Sequence, residues 1–206
     1  MIIFDKHSIE TIARVMADSF LEDPMNLAQL EGIKNPEKLL KAHSLLHARY
    51  AVKCSSLSIL STDARAFMIG FDSNNEKKLK DRVLMARILL STIISLGFKD
   101  LKKMMANMKK NGKVLSFGWY KEFINGRHYR IKIIAIDKEL RGTGAFRKLI
   151  TPAIEFADRE KIPMVLETHN PSNIGLYAHF GFELVKTIQS DETPIEQYCM
   201  IRHPKQ

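Results

Sequence analysis

Apolar residues at helical spacing predict two helices near the start of the chain. Ser8 suits the N-cap of the first helix, and the apolar face of that helix consists of residues three or four positions apart, namely Ile9, Ile12, Ala13, Met16 and Phe20. Asp23-Pro24 should end this helix, because the residue before a proline disfavours helical geometry. Asn35-Pro36 should start the second helix, because proline suits the first helical position.

The pattern then changes to a predicted hairpin followed by a long helical segment. Two short apolar runs, 57–60 and 66–71, predict strands around a Thr62-Asp63 turn. Residues 76–113 are predicted to be helical, with an interruption near Gly97. Within them, 99–113 is rich in lysine and methionine, which favours a solvated amphipathic helix with a methionine core face. A nucleic-acid patch and a lid over an acceptor site are the alternatives.

The second half of the chain predicts an ordered series of strands and helices. The predicted strands are 129–136, 164–168, 182–188 and 197–201, and the predicted helices are 145–159 and 173–180. A glycine turn joins the first strand to the first helix. Pro152 lies inside the first of these helices and should kink it, and Gly181 suits the left-handed residue that stops the second.

The glycine turn is the strongest chemical signal in the sequence. It contains Gly142 and Gly144, lies directly after an apolar strand and opens a helix. Main-chain N–H groups at such a turn have no helical partner and favour an anionic group such as a phosphate. Arg141 and Arg147 add positive charge nearby. The segment is therefore predicted to hold a phosphorylated ligand.

Composition adds limits on the class of protein and its partners. The 206 residues are 45% hydrophobic, enough for one packed domain, and the net charge of +9 favours anionic partners, whether a nucleic acid or a phosphorylated cofactor. Cys54 and Cys199 fit reduced, buried thiols in a cytoplasmic protein. We predict no secretion signal and no membrane partner, since the most apolar window, 83–98, is short and contains Arg87. This window fits a buried or oligomer-interface helix and leaves a homodimer open.

A larger set of residues in 129–201 carries a family resemblance. Beside the Arg-Gly-x-Gly turn it comprises Leu166-Glu167-Thr168, Asn173, Tyr177 and Gly181-Phe182. This arrangement resembles the GNAT superfamily of acyl-CoA-dependent N-acyltransferases. Phe20 and Asp23-Pro24, followed by a helical lobe before the turn, are similar to one branch of it. The close match covers about a third of the chain, and two positions depart from the family's habits: Phe146 replaces a small residue, and Lys138 replaces a proline.

The resemblance implies an α+β fold. Its central sheet is mixed and mostly antiparallel, with a V-shaped split between two parallel strands and helices on both faces. It also implies one domain over residues 1–206. Residues 1–128 would form N-terminal helices, a hairpin and a helical acceptor-side lobe, and 129–206 would form the acetyl-CoA-binding core.

The resemblance further implies an N-acetyltransferase that moves an acetyl group from acetyl-CoA to a primary amine of a small molecule or peptide. Tyr177 would be the general acid and Glu167 the general base, with His128 and His169 as alternative bases. No metal is expected. The implied cofactor-binding residues are Ile134, Ala135, Ile136, Arg141, Gly142, Thr143, Gly144, Ala145, Phe146 and Asn173. Asn173 could instead be a helix N-cap.

Three other functions stay open at this point. An acyl-CoA-binding regulatory module without turnover would use the same turn. A nucleic-acid binder would use the lysine-rich segment, but no aromatic interleaving accompanies those lysines, so nucleic acid is an unlikely partner. A two-step transfer through Cys199 has weak support, since this residue lies in a predicted strand far from the turn in sequence.

Overall fold

The computed structural model describes residues 5–54, 56–76 and 78–205. These residues form seven α-helices and six β-strands. The helices are α1 (Lys6–Phe20), α2 (Pro24–Leu30), α3 (Pro36–Lys53), α4 (Lys78–Ser95), α5 (Phe98–Asn111), α6 (Ala145–Arg159) and α7 (Ser172–His179). The strands are β1 (Leu57–Ile59), β2 (Ala66–Asp72), β3 (Tyr129–Ile136), β4 (Met164–Thr168), β5 (Glu183–Ser190) and β6 (Thr193–Arg202).

All six strands join one sheet in the order β1-β2-β3-β4-β6-β5. Only β3 and β4 are parallel, and the other pairs are antiparallel. The parallel pair is in register only at Tyr129 with Met164 and at Arg130 with Val165, although β3 continues to Ile136. The expected α+β fold, with a mixed sheet that opens between its two parallel strands, is therefore confirmed.

Helices cover both faces of the sheet. On one face, α6 and α7 bury an apolar cluster that includes Ile131, Leu166 and Met200 from the strands. On the other face, α1 and α3 pack on Phe67 and Ala135. Further along this second face, a 3₁₀ turn at Trp119–Glu122 covers the part of the sheet formed by β4 and β6.

A bulge in β3 explains why its side chains do not alternate regularly. Ile133 pairs with Ile69 and Ile131 pairs with Gly70, so Lys132 is an extra residue in the ladder. An extra residue of this kind is left out of the regular pairing. As a result Ile131 and Ile134, three positions apart, both face α6.

Several element ends differ from those predicted. Asp5 and not Ser8 caps α1: the Asp5 carboxylate accepts the Ser8 amide at 2.8 Å, because an aspartate lies three residues before a free helical N–H. Asp23-Pro24 follows the end of α1 at Phe20 and itself opens α2, with Asp23 as the cap.

The helical segment 78–111 is less buried than its composition suggested. It breaks at Gly97, as predicted. Of the three methionines assigned to a core face, only Met104 is buried, while Met105 and Met108 are exposed. α4 packs on α3 along one side only, so the first half of the prediction, a buried helix, is wrong, and the second half, an oligomer-interface helix, stays a prediction.

Candidate active site

The gap between β3 and β4 has main-chain groups directed into it. The Asp137 amide donates to the Arg65 carbonyl at 2.9 Å, so alternate β3 residues, including Ala135, direct their main-chain groups toward β2. The residues between them, Ile134 and Ile136, direct theirs to the opposite side, where β4 has diverged. An extended ligand in the gap could therefore pair with these two residues.

The glycine turn lies at the end of this gap and has free donors. Gly142 and Gly144 have φ of 77° and 82°, a left-handed geometry that other residues rarely adopt. Among the described residues no acceptor bonds the main-chain N–H groups at 142, 144, 145, 146 and 147. A Cβ added at either glycine would meet nothing within 4 Å. The turn is therefore open and suited to an anion.

Ion pairs from the N-terminal half hold this turn in shape. Asp137 accepts from Arg14 at 3.0 Å and from Arg65 at 3.3 Å, and its other oxygen accepts the Glu139 amide at 3.2 Å. The hydrogen bond from Arg65, more than any other contact, lowers the pKa of Asp137 to about 2. Arg141 is drawn to Glu22 at 2.9 Å, so its charge is shared with a carboxylate.

Tyr177 lies beside the turn in an apolar aromatic cluster. Its ring centroid is 5.8 Å from that of Phe146 and 5.9 Å from that of Phe182. Phe146 also packs on Phe180, so this bulky residue at the turn is accommodated by the cluster. Burial raises the pKa of Tyr177 to about 12. The phenol is therefore protonated at neutral pH and able to donate.

Glu167 lies on the other face of β4, in a polar cluster. Arg130 Nη2 donates to one of its oxygens at 2.7 Å, and Trp119 Nε1 donates to the other at 3.1 Å. Each oxygen of a carboxylate can accept two hydrogen bonds, so each retains one free position. Glu167 is thus oriented but not saturated.

The two candidate histidines are not exposed on the surface: His128 is buried and His169 is partly buried. His128 is buried, stacks on Tyr120 and places Nδ1 2.9 Å from the Gly126 carbonyl, so the structure gives it a local structural role. His169 follows β4 directly, and its buried Nε2 has no partner among the described residues. Burial lowers the pKa of His169, against the opposing charges of Asp23 and Glu167.

Asn173 lies inside α7 and does not cap it. Its side-chain amide donates to the Thr168 hydroxyl at 3.1 Å, which ties α7 to the end of β4. The side chain of Asn170 accepts the Ser172 amide at 3.0 Å and so supports the first turn of the helix. The N-cap alternative for Asn173 is therefore wrong.

Comparisons with known proteins agree with this geometry. A sequence profile described as the acetyltransferase (GNAT) family matches residues 85–182. An uncharacterised N-acetyltransferase of Schizosaccharomyces pombe is 33% identical over 76 residues, which span 35% of this chain and 30% of the length of that relative. The predicted resemblance to the GNAT superfamily is therefore supported.

Solved structures show the same fold at low sequence identity. A Corynebacterium glutamicum protein described as histone acetyltransferase HPA2 and related acetyltransferase aligns over 100% of this chain and 96% of its own, with 17% identity and a TM-score of 0.63. Arylalkylamine N-acetyltransferase 2 of Aedes aegypti aligns over 100% and 98%, with 18% identity and a TM-score of 0.58. An N-acetyltransferase of Staphylococcus aureus Mu50 aligns over 94% of both chains, with 15% identity and a TM-score of 0.55. These likenesses support the GNAT fold.

Several of the predicted site residues border the gap. Ile134, Ile136, Thr143 and the turn lie along it, and Tyr177 and Glu167 lie on opposite faces of β4, the strand at its other edge. Ala135 directs its main chain to β2, and its side chain is buried under α1, so the register does not favour it as a cofactor contact. Cys199 is buried beneath the Trp119 turn, and burial raises the pKa of its thiol to about 11, which disfavours a thiolate nucleophile.

Two functional neighbours were missed from the sequence, Arg130 and Trp119. Arg130 lies in an apolar strand and is buried, a placement that itself signals a buried partner. Trp119 is the only tryptophan and follows Gly118, in a stretch with no regular pattern. Neither feature points to Glu167 as the partner, because Arg130 lies 37 positions and Trp119 lies 48 positions from Glu167 in the sequence.

Two cavities are also present among the described residues. A cavity of about 680 Å³ lies between β1, β2 and α6, with Tyr50, Gly70 and Phe156 in its walls. A smaller one of about 220 Å³ lies between α1 and the end of β3, beside Arg141. Neither includes Tyr177 or Glu167.

Proposed function

We propose that this chain is an acetyltransferase that moves an acetyl group from acetyl-CoA to a primary amine by direct attack. The observation that carries the proposal is the gap between β3 and β4, with unpaired amides at its end and titratable groups of different kinds on its two sides. The match of residues 85–182 to the acetyltransferase (GNAT) family supports the reaction class. The identity of the amine is left open.

The residues present fit the parts of acetyl-CoA. The free N–H groups at 142 and 144–147 complement its diphosphate, and the main chain of Ile134 and Ile136 complements the amide groups of its pantetheine arm. Arg147 lies next to these donors and stacks its guanidinium over Phe180, 5.2 Å from the ring centroid. When bound, acetyl-CoA supplies the activated acetyl group.

Tyr177 is proposed to donate a proton to the leaving sulfur. Its apolar surroundings disfavour the phenolate, so the proton is present across the physiological range. Asn173 would hold the end of β4 in place through its hydrogen bond to Thr168. In this way it would also fix the backbone of β4 beside the proposed reacting groups. General acids of this kind contribute about 10²-fold or more to rate.

Glu167 is proposed to accept the proton of the amine, directly or through a water. Arg130 and Trp119 hold its two oxygens and leave one acceptor position on each. His169 is the competing base, because its buried Nε2 has no partner and its lowered pKa keeps it neutral at pH 7. Both residues lie on the face of β4 opposite Tyr177, so either choice separates base from acid.

Acetyl-CoA binding is tested by thermal melting of a matched pair of variants. Acetyl-CoA at a hundredfold excess over its dissociation constant should stabilise the wild-type fold by about 2.7 kcal/mol. Gly144→Asp should weaken binding about 100-fold, because it adds a carboxylate at the turn proposed to hold the diphosphate, and two like charges about 5 Å apart near a protein surface repel by about 3 kcal/mol. Gly144→Asn should bind much better than Gly144→Asp, since Asn tolerates left-handed geometry without adding charge.

Equal stabilisation of Gly144→Asp and the wild type would remove the turn from the proposal. Turnover is tested separately by release of free CoA thiol with a panel of amines. If acetyl-CoA binds and no amine releases thiol, the chain is better described as a non-catalytic acyl-CoA-binding module.

A further inference from the structure

The outer side of α4 exposes a continuous apolar stripe. Seven large apolar residues of this helix are each about half exposed or more, and Leu79 and Ile94 reach 75% and 74%. At 100° per residue, five of them fall within an arc of about 100°. We call this set the α4 stripe: Leu79, Val83, Leu90, Ile93 and Ile94. Phe98, at the start of α5, is 85% exposed.

The inner side of α4 is anchored, so the exposure of the stripe follows from the packing of the fold. Leu84 and Thr92 are buried, and the Thr92 hydroxyl lies 3.0 Å from His43 Nε2 on α3. Asp81 contacts Tyr50 of α3 and accepts from Lys132 of β3 at 3.2 Å. α4 therefore has one side committed to the protein and the other free along its whole length among the described residues.

Positive charge is concentrated in the same lobe. Residues 78–113 contain ten Lys and Arg against two Asp, a net charge of +8 out of +9 for the whole chain. Arg82 and Arg87 lie on opposite borders of the α4 stripe by the same helical spacing, and both are exposed. The two acidic residues are already engaged, Asp81 as above and Asp100 by the Lys34 amide at 3.2 Å.

This combination distinguishes between possible occupants. A second copy of the chain would match the apolar residues but would bring Arg82 and Arg87 of each copy close to the same residues of the other, with no free carboxylate on the helix to balance them. A nucleic acid would match the charge and leave the apolar residues in water. An anionic lipid surface matches both, because apolar side chains enter the acyl boundary while arginine side chains reach the phosphates.

We propose that the α4 stripe, with its arginine borders, is a docking surface for an anionic phospholipid membrane. The helix would lie in the plane of the interface, and its 18 residues would span about 27 Å. No helix among the described residues is long and apolar enough to cross a bilayer, and a helix lying on the surface does not need to be. Docking of this kind requires neither a spanning segment nor a secretion signal, the two features on which the prediction of no membrane partner rests.

Vesicle flotation of the full chain tests the proposal without any use of acetyl-CoA, so its result is independent of the enzymatic proposal. The protein should float with phosphatidylcholine vesicles that contain about one third phosphatidylserine, and not with phosphatidylcholine alone. Raising the salt concentration should weaken the binding, because the electrostatic part is screened. The double variant Leu90→Gln/Ile94→Gln should lose at least about tenfold in partitioning, since burial of each apolar side chain is removed.

Two charge variants and one control variant separate the contribution of the arginine charges from the effect of any surface substitution. Arg82→Gln and Arg87→Gln should each lower partitioning about fivefold, the share expected of one basic residue near an anionic surface. Leu184→Gln is the matched control: Leu184 is 44% exposed on β5, away from α4, and this variant should bind vesicles as the wild type does. Melting curves of all variants should coincide, because each changed side chain is exposed.

Absence of flotation with the phosphatidylserine vesicles would overturn the proposal, and so would equal binding by the Leu90→Gln/Ile94→Gln variant. A dimer in sedimentation velocity that this variant converts to a monomer, with the wild type absent from vesicles, would assign the surface to a second copy. Binding to an oligonucleotide in place of vesicles, unaffected by the same variant, would assign it to nucleic acid.

Discussion

On one face of β4, Leu166 packs into an apolar cluster with Tyr177, whereas on the other face Glu167 accepts hydrogen bonds from Arg130 and Trp119. The two side chains that differ so much in surroundings come from adjacent residues of one strand. A strand that alternates its side chains can therefore serve two chemical environments at once.

The difference shows how environment assigns roles to titratable groups. The apolar side disfavours an anion, so Tyr177 retains its proton and can act only as a donor near neutral pH. The polar side surrounds Glu167 with donors, so a carboxylate is held there with free acceptor positions. Transfer of an acetyl group from a thioester to an amine needs an acceptor for the proton of the amine and a proton donor for the leaving thiolate, the two roles proposed for Glu167 and Tyr177.

The apolar side is tested most strongly by Tyr177→Phe. Acetyl-CoA affinity should stay near that of the wild type, while transfer slows about 10²-fold or more, because only the hydroxyl is removed. Thiol release under saturating acetyl-CoA measures the rate, and melting curves check the fold. Normal turnover in this variant would leave the apolar face of β4 with a packing role only.

The polar side is tested by comparing Glu167→Gln with His169→Gln over a range of pH and with the same amine. The variant that removes the base should lose about tenfold to 10²-fold in rate, and the other should lose little. If His169 is the base, the wild type has an acidic limb below pH 6.5, because burial lowers the pKa of His169, and His169→Gln removes that limb.

Folding stability gives a second measure of the same histidine. A histidine whose pKa is lowered by folding resists protonation in the folded state, so stability falls as pH drops from 6.5 through the folded pKa. His169→Gln should reduce this fall in denaturant unfolding experiments. An unchanged pH dependence of the free energy of unfolding would mean that the imidazole is solvated and not part of the polar cluster.

The smallest expected effect concerns the alkaline titration of Tyr177, on the apolar side of β4. Tyr177 should ionise only near pH 12, two units above its ordinary value, and stability should fall as pH rises from 10 to 12. Phenolate absorbance should show one fewer late-titrating tyrosine in Tyr177→Phe than in the wild type. Titration of Tyr177 near pH 10 would show that the phenol is in water and that the two faces of β4 differ less than described.

Much of the cofactor half was predictable because its signals are local. The bounds of β3, α6 and β4 follow from the spacing of their apolar residues and from the glycine turn before the helix, and the structure places these elements at 129–136, 145–159 and 164–168, as predicted. The position of Tyr177 on a short helix after β4 followed from the same motif. The roles given to these residues stay predictions.

The acceptor side was less predictable because its contacts are distant in sequence. Nothing near Glu167 indicates that Trp119 and Arg130 bond it. The apolar run of α4 predicted a helix buried against a partner. The spacing of apolar residues does not indicate whether that partner is the same chain or another surface. The cap of α1 was also predicted wrongly, as Ser8 and not Asp5, because both residue types suit an N-cap and the two lie only three positions apart.

Asp137 connects the two halves of the chain in a way that affects how the protein can be divided. Arg14, which lies 123 residues earlier, and Arg65 both bond this carboxylate at the entrance to the glycine turn. A fragment beginning at β3 would contain every residue of the turn and still lack the braces that fix its shape. The local sequence motif is therefore shorter than the set of residues that holds the turn in its observed shape.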